Sequence, residues 1–232
     1  GKYRLIFCDN KGILNNYTAD GKTTDGWLKP SLSQKGQCNV FYNPLNGNDY
    51  IVVSFKSGEV CVFDRKGKFV FSTDKIQNNK GFNPLFGDKS SKAWLAFSPD
   101  GELIEIKPDG ETAIISEKSY GENVLFNLQE GSIYVVSEGN LIILNKEGKE
   151  LFYEKISASS IDNFKVITAN NEIFIIYHNN DDNLGILSQK TEYKELLYKT
   201  QALGFASTLY KAKILLTGVV GKTVETETII IE

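Results

Sequence analysis

The sequence contains no methionine, a single histidine at position 178, five prolines, and arginine only at Arg4 and Arg65. Each shortage closes off a class of function. A Ser-His-Asp or Cys-His catalytic set would have to recruit His178. Structural zinc is bound by clustered cysteine and histidine, whereas Cys8, Cys38 and Cys61 lie scattered in apolar segments. With an odd number of thiols, the expectation is free cysteines packed as small hydrophobes, a single disulfide or a reactive thiol being the alternatives. Lysine supplies nearly all of the 26 cationic side chains. Arginine makes the bidentate forks that hold phosphate and carboxylate, so its scarcity argues against recognition of such groups. The net charge of −3 excludes the basic field of a nucleic-acid-binding protein. No apolar run reaches the roughly 18 residues of a membrane helix, so no membrane insertion of this domain is expected. Neither a Gly-rich phosphate loop nor a nucleophile elbow is found.

Because methionine is missing and strand-like sequence starts at Tyr3, we expect residues 1–232 to be one domain taken from a longer polypeptide. The lack of a leader then says nothing of compartment. A hydrophobic fraction of 41% over 232 residues is enough to fill the core of one all-β domain. Abundant Asn and Lys with almost no Arg points to an AT-rich genome, which does not bear on function.

What is present is a repeat. Pairs of glycines stand nine residues apart: Gly12 and Gly21, Gly58 and Gly67, Gly101 and Gly110, Gly139 and Gly148. Each pair brackets a short apolar segment, and another precedes its first glycine. Ser98-Pro99-Asp100-Gly101 and Lys107-Pro108-Asp109-Gly110 place Pro, Asp and Gly where a type I turn with a left-handed closing residue needs them. Nine residues is one strand of about five plus one turn, so each copy is a meander. A further copy runs from Ile173 to Tyr198 with a longer hairpin loop, and a degraded one from Lys213 to Ile231.

One more apolar segment stands ahead of each later copy: Cys38–Tyr42, Phe82–Phe86, Val124–Leu128, Phe164–Thr168 and Leu203–Ser207. Adding it makes four antiparallel strands per copy, the make-up of a propeller blade. Runs such as Ile51-Val52-Val53 and Ile173-Phe174-Ile175-Ile176 are apolar on both strand faces, as a strand covered on both sides should be. No sustained 3.6-residue period is seen, which predicts almost no helix.

The pattern apolar-x-apolar-Asp/Asn-x-x-Gly-Lys, at Val60–Lys68 and Leu141–Lys149, resembles the repeats of bacterial propeller superfamilies with quinoprotein-like or NHL-type blades. The WD-like and quinoprotein tryptophan signatures are absent, since Trp27 and Trp94 stand at non-equivalent places. The resemblance implies an all-β, β-propeller fold and carries no site across. Six blades with thin terminal sheets are favoured. Five blades plus a C-terminal hairpin, with Leu203–Ser207 completing the first blade, is the alternative.

Candidate sites are few. In Tyr177-His178-Asn179-Asn180-Asp181-Asp182-Asn183, the histidine reads as a loop side chain. Asp181, Asn183 and Gly185 space oxygen ligands on alternate residues ahead of a bend, a calcium pattern, although Asn and Asp favour turns in any case. No other cofactor is indicated. Aromatic side chains near blade-to-blade connections could stack on a sugar or anchor a peptide, or could cap the core: Trp27, Phe82, Phe86, Tyr120 and Phe205. With His178, the first, second, fourth and fifth of these are the ligand-face candidates. Asn16-Tyr17-Thr18 matches a glycosylation sequon.

Three functions fit. The first is a non-catalytic module presenting one propeller face to a protein or glycan partner. The second is a hydrolase or lyase using carboxylates in a central funnel, and the third an assembly element of a larger particle or cell-surface protein. Converging carboxylates with raised pKa would favour the enzyme.

Overall fold

From Arg4 to Ile230, hairpin follows hairpin in a computed structural model of the chain. It describes residues 3–35, 38–77, 83–87, 89–156, 161–169, 172–179, 183–189, 192, 195–199, 205–210, 213–220 and 223–230. Among these there is no α-helix, and two compact units are present, Gly1–Val124 and Leu125–Glu232.

The first unit holds three antiparallel sheets. β1 (Arg4–Cys8) pairs with β2 (Leu14–Thr18), and β3 (Cys38–Leu45), β4 (Asn48–Phe55), β5 (Val60–Asp64) and β6 (Phe69–Thr73) follow as a four-stranded meander. β7 (Trp94–Phe97), β8 (Glu102–Ile106) and β9 (Thr112–Ser119) make the third. The second unit has β10 (Leu125–Gln129), β11 (Ser132–Ser137), β12 (Asn140–Asn145) and β13 (Glu150–Lys155) in one sheet. β14 (Ile161–Ala169), β15 (Glu172–Asn179), β16 (Asn183–Ser188) and β17 (Glu195–Lys199) form the next. β18 (Phe205–Tyr210), β19 (Lys213–Val220) and β20 (Thr223–Ile230) form the last. Every strand pairs with its neighbour in sequence. Of the segment Leu203–Ser207, the described residues Phe205–Ser207 lie in β18 and pair with β19, Phe205 opposite Gly218.

Two sheets are thinner than the repeat predicts. In the first, the expected third strand is reduced to a bridge between Tyr17 and Thr23. In the third, the segment ahead of β7 contributes only the bridge Phe86–Leu95; Phe82 lies outside the described residues. Neither segment sustains a ladder. In the first case Asp25 and Gly26, and in the second Asn83 and Pro84, put turn-formers where alternation would be needed.

The turns follow the sequence closely. All eight paired glycines have positive φ, from +75° at Gly139 to +93° at Gly58. At the Asx-x-x-Gly turns one side chain organises the loop. Asp64 Oδ1 accepts from the amides of Lys66 and Lys68 at 2.8 and 2.9 Å, while its carbonyl accepts from Gly67 at 3.0 Å. Asn145 does the same for Lys149 and Gly148. Each of these turns lies beside a register shift in the ladder to the next strand, at Val62/Phe63 and Ile143/Leu144.

The second sheet shows why its central strands are apolar throughout. Ile51, Val53, Phe55, Cys61 and Phe63 face one way and pack on Leu14 and Leu32. Val52, Val60, Val62 and Phe71 face the other and pack on Trp94, Ala96, Ile104 and Ile106. Alternate residues of one strand therefore serve two cores, each fully buried side chain contributing about 1.5–3 kcal/mol. In the second unit Ile175, Ile176 and Tyr177 of β15 are likewise inaccessible to solvent.

Candidate functional site

Of the side chains singled out as a ligand face, Trp27, Tyr120 and His178 are described. Trp27 is half-buried; its Nε1 donates to the Leu14 carbonyl at 3.0 Å and its ring lies over Gly67. Tyr120 is buried, edge-on to Phe97 at 6.0 Å between centroids, with Lys118 Nζ 5.4 Å from its ring centre. Both cap a core, the alternative that the sequence left open. His178 is not a loop residue: it belongs to β15, opposite Leu184, and is 5% exposed. The ladders on either side of β15 carry the strand three residues past Ile176, to Asn179, where the polar neighbours had implied a loop. Phe205 opens β18 and Phe82 is not described, so neither has a side chain to place.

Of the calcium pattern, Asp181 lies outside the described residues and Asn183 starts β16 opposite Lys199. Gly185 pairs with Tyr177, and a Cβ there would run into the tyrosine ring. That contact accounts for the glycine without any bend. Among the described residues no group of three His, Cys, Asp or Glu side chains is placed to hold a metal ion. The sequon asparagine, Asn16, is 1% exposed and accepts from Thr24 Oγ1 at 2.8 Å.

The thiols are free, Cys61 buried and the other two half-buried. Loss of solvent, and then neighbouring Cys8, pushes the Cys38 thiol up to about 12. Desolvation followed by the Glu59 charge raises Cys61 to about 12 as well. Among the described residues two carboxyls depart from the ordinary range, and both go down. Asp9 is lowered chiefly by the Ile13 amide, with Asn15 and Lys11 also donating, and Asp20 by the Thr18 hydroxyl. These are turn acids stabilised as anions.

A cavity of about 510 Å³ opens between the first and second sheets, within the first unit. It was not anticipated from sequence. β1 contributes Arg4 and Ile6, β2 contributes Asn16 directly opposite Ile6, and β3 and β4 contribute Tyr42, Asp49, Tyr50 and Ile51. Arg65, the first residue after β5, closes the set. Both arginines of the chain therefore line one cavity. Neither guanidinium has an ion pair or hydrogen bond among the described residues. Asp49 Oδ1 accepts from the Tyr42 hydroxyl at 2.7 Å, which holds that phenol above its usual range. Asn16 Nδ2 is buried with no partner. The scarcity of arginine, a property of the whole chain, concealed its local concentration. The spacing of 61 residues between Arg4 and Arg65 leaves no motif to find.

No protein-family model matches the sequence, and no curated protein matches it either. Solved structures do match. The sheets and their likeness to these structures define the chain as an all-β propeller built of antiparallel meanders. Among them is the CNH domain of AfRom2, at TM-score 0.65 and 11% identity over 97% of this chain and 76% of that one. BamB from Moraxella catarrhalis, a quinoprotein-like propeller, aligns at TM-score 0.54 and 13% identity over 97% and 81% of the two chains. BBS1N, in a structure of its complex with ARL6DN, aligns at TM-score 0.64 and 12% identity, covering 99% of this chain and 76% of that one. At such identities the likeness is one of fold.

Proposed function

We propose that the chain is a non-catalytic interaction or scaffold module that engages a protein partner. The observation that carries this reading is the make-up of the cavity between the first two sheets. Its lining combines two arginines that have no ion pair among the described residues with two tyrosines and two isoleucines, and arginine and tyrosine are the residue types that anchor protein interfaces. Acid–base turnover would call for a group whose pKa is drawn toward neutrality. The shifted carboxyls, Asp9 and Asp20, move away from it. The structure of BBS1N with ARL6DN is a precedent for a fold of this kind holding a protein.

The test has two stages. The chain is immobilised to capture proteins from an extract of its source, and each captured candidate is then purified and titrated against it by calorimetry. A stoichiometric complex with micromolar or tighter affinity is expected. The reading fails if no purified candidate rebinds.

A further inference from the structure

The two arginines line one cavity, and among the described residues neither has an ion pair or hydrogen bond. We infer that the cavity lined by Arg4 and Arg65 binds a carboxylate, presented as an aspartate or glutamate side chain by an acidic peptide segment of a partner. This rests on the interaction-module reading and names what that module grips.

Guanidinium groups bind planar oxyanions through paired N–H donors. Arg4 and Arg65 are both exposed and both line this cavity, so two such donor sets open onto one space. Asn16, opposite Ile6 in the first ladder, lines the same cavity and is 1% exposed; its Nδ2 has no hydrogen-bond partner and is closed off from solvent.

Charge selects among anions. Against the two guanidinium groups stands one carboxylate, that of Asp49, which leaves a formal surplus of a single positive charge. A carboxylate balances that surplus. A phosphate dianion would exceed it. Asp49 is itself occupied by the Tyr42 hydroxyl, so it holds that ring in place and leaves both guanidinium groups to the ligand. Ile6 and Ile51 give the cavity an apolar floor beside its charges, which suits a carboxylate carried on a chain with apolar neighbours. Its volume is within the range of sites that enclose a few residues.

The probes are N-acetylated, C-amidated Leu-Glu-Tyr, its Leu-Gln-Tyr counterpart, N-acetylglutamate and inorganic phosphate. Each is titrated up to millimolar concentration into the full chain and into the double variant Arg4→Gln, Arg65→Gln. Both arginines are exposed, so the variant is expected to unfold at the wild-type temperature. Amide chemical shifts locate the site. The glutamate peptide should bind at least tenfold more tightly than the glutamine peptide and shift the amides of residues 4–6, 16, 49–51 and 65. The double variant should abolish that discrimination. Equal affinity for the two peptides, wild-type binding by the variant, or no binding by any probe would overturn the inference. Tighter binding of phosphate would replace carboxylate with phosphate recognition. N-acetylglutamate matching the peptide would replace the peptide with a free small acid. If a protein partner is found and the double variant still binds it, this inference fails while the module reading stands. If no partner is found yet the glutamate peptide binds through the arginines, the reverse holds.

Discussion

Trp27 lies across Gly67, with Cη2 and Cζ3 of the indole 3.1 Å from the point a Cβ on that glycine would occupy. Pro30 Cδ is equally near, and the Leu28 amide donates to the Lys66 carbonyl at 2.8 Å. The connection after β2 is thus clamped onto the β5–β6 turn, and one wall of the arginine cavity is fixed by the same turn.

Replacing Gly67 by alanine should be costly for two reasons. The residue has φ +82° and its Cβ would press on the ring and proline. Gly58 has φ +93° but nothing within 4 Å, so Gly58→Ala isolates the backbone term, about 1–2 kcal/mol. Denaturant unfolding should show Gly67→Ala to be the more destabilised, by an additional ~1 kcal/mol or more. Equal losses would mean that the ring gives way freely.

Tyr177 offers a substitution in the opposite direction. Its hydroxyl is buried without a hydrogen-bond partner. Tyr177→Phe removes an unsatisfied polar group and keeps the ring over Gly185, so a gain of about 1 kcal/mol in unfolding free energy is expected. Gly185→Ala should be severely destabilising because its methyl would enter the space of that ring. A loss of stability in Tyr177→Phe would show that the hydroxyl is satisfied in solution.

Acid sensitivity should trace to Asp9. Its carboxylate accepts from the amides of Lys11 and Ile13, both at 2.9 Å, and from Asn15 Nδ2 at 3.2 Å. The folded-state pKa is lowered, so the group contributes stability above the unfolded value of 3.8 and loses it as the pH falls through the folded value. Asp9→Asn retains an acceptor oxygen and should flatten the thermal midpoint between pH 5 and 2.5 relative to the parent. An unchanged acid limb would assign the effect elsewhere.

The thiols predict the alkaline limb. The folded-state pKa values of Cys38 and Cys61 lie above the reference of 9.0, so their contribution is full below that pH and is lost as the pH climbs toward about 12. Alkylation by iodoacetamide at pH 8 should be slow in the folded protein and fast in denaturant. Cys61→Val should lessen the decline in stability between pH 9 and 10.5.

Much of this fold was legible because its signals are local. A glycine at the closing position of the paired turns, with an Asp or Asn three residues ahead of it at Gly12, Gly67 and Gly148, and a doubly apolar central strand all act within one hairpin. What failed to show was whatever depends on neighbours distant in sequence. Asn16 reads as a sequon until Thr24 and the wall of a cavity are found against it. Arg4 and Arg65 read as isolated until two sheets bring them to the same space. His178 misled for a subtler reason. The Asn-Asp run that follows it is a turn signal, but the ladder with β16 extends the strand to the very edge of that run.

Since each described strand bonds to the one made just before or just after it, none of the described ladders waits for a distant stretch of polypeptide to be synthesised. A nascent chain can therefore zip its hairpins in the order in which they leave the ribosome. The two arginines, one near the start and one at the edge of the second meander, would be brought together early. The cavity would then exist before the last hundred residues had been translated.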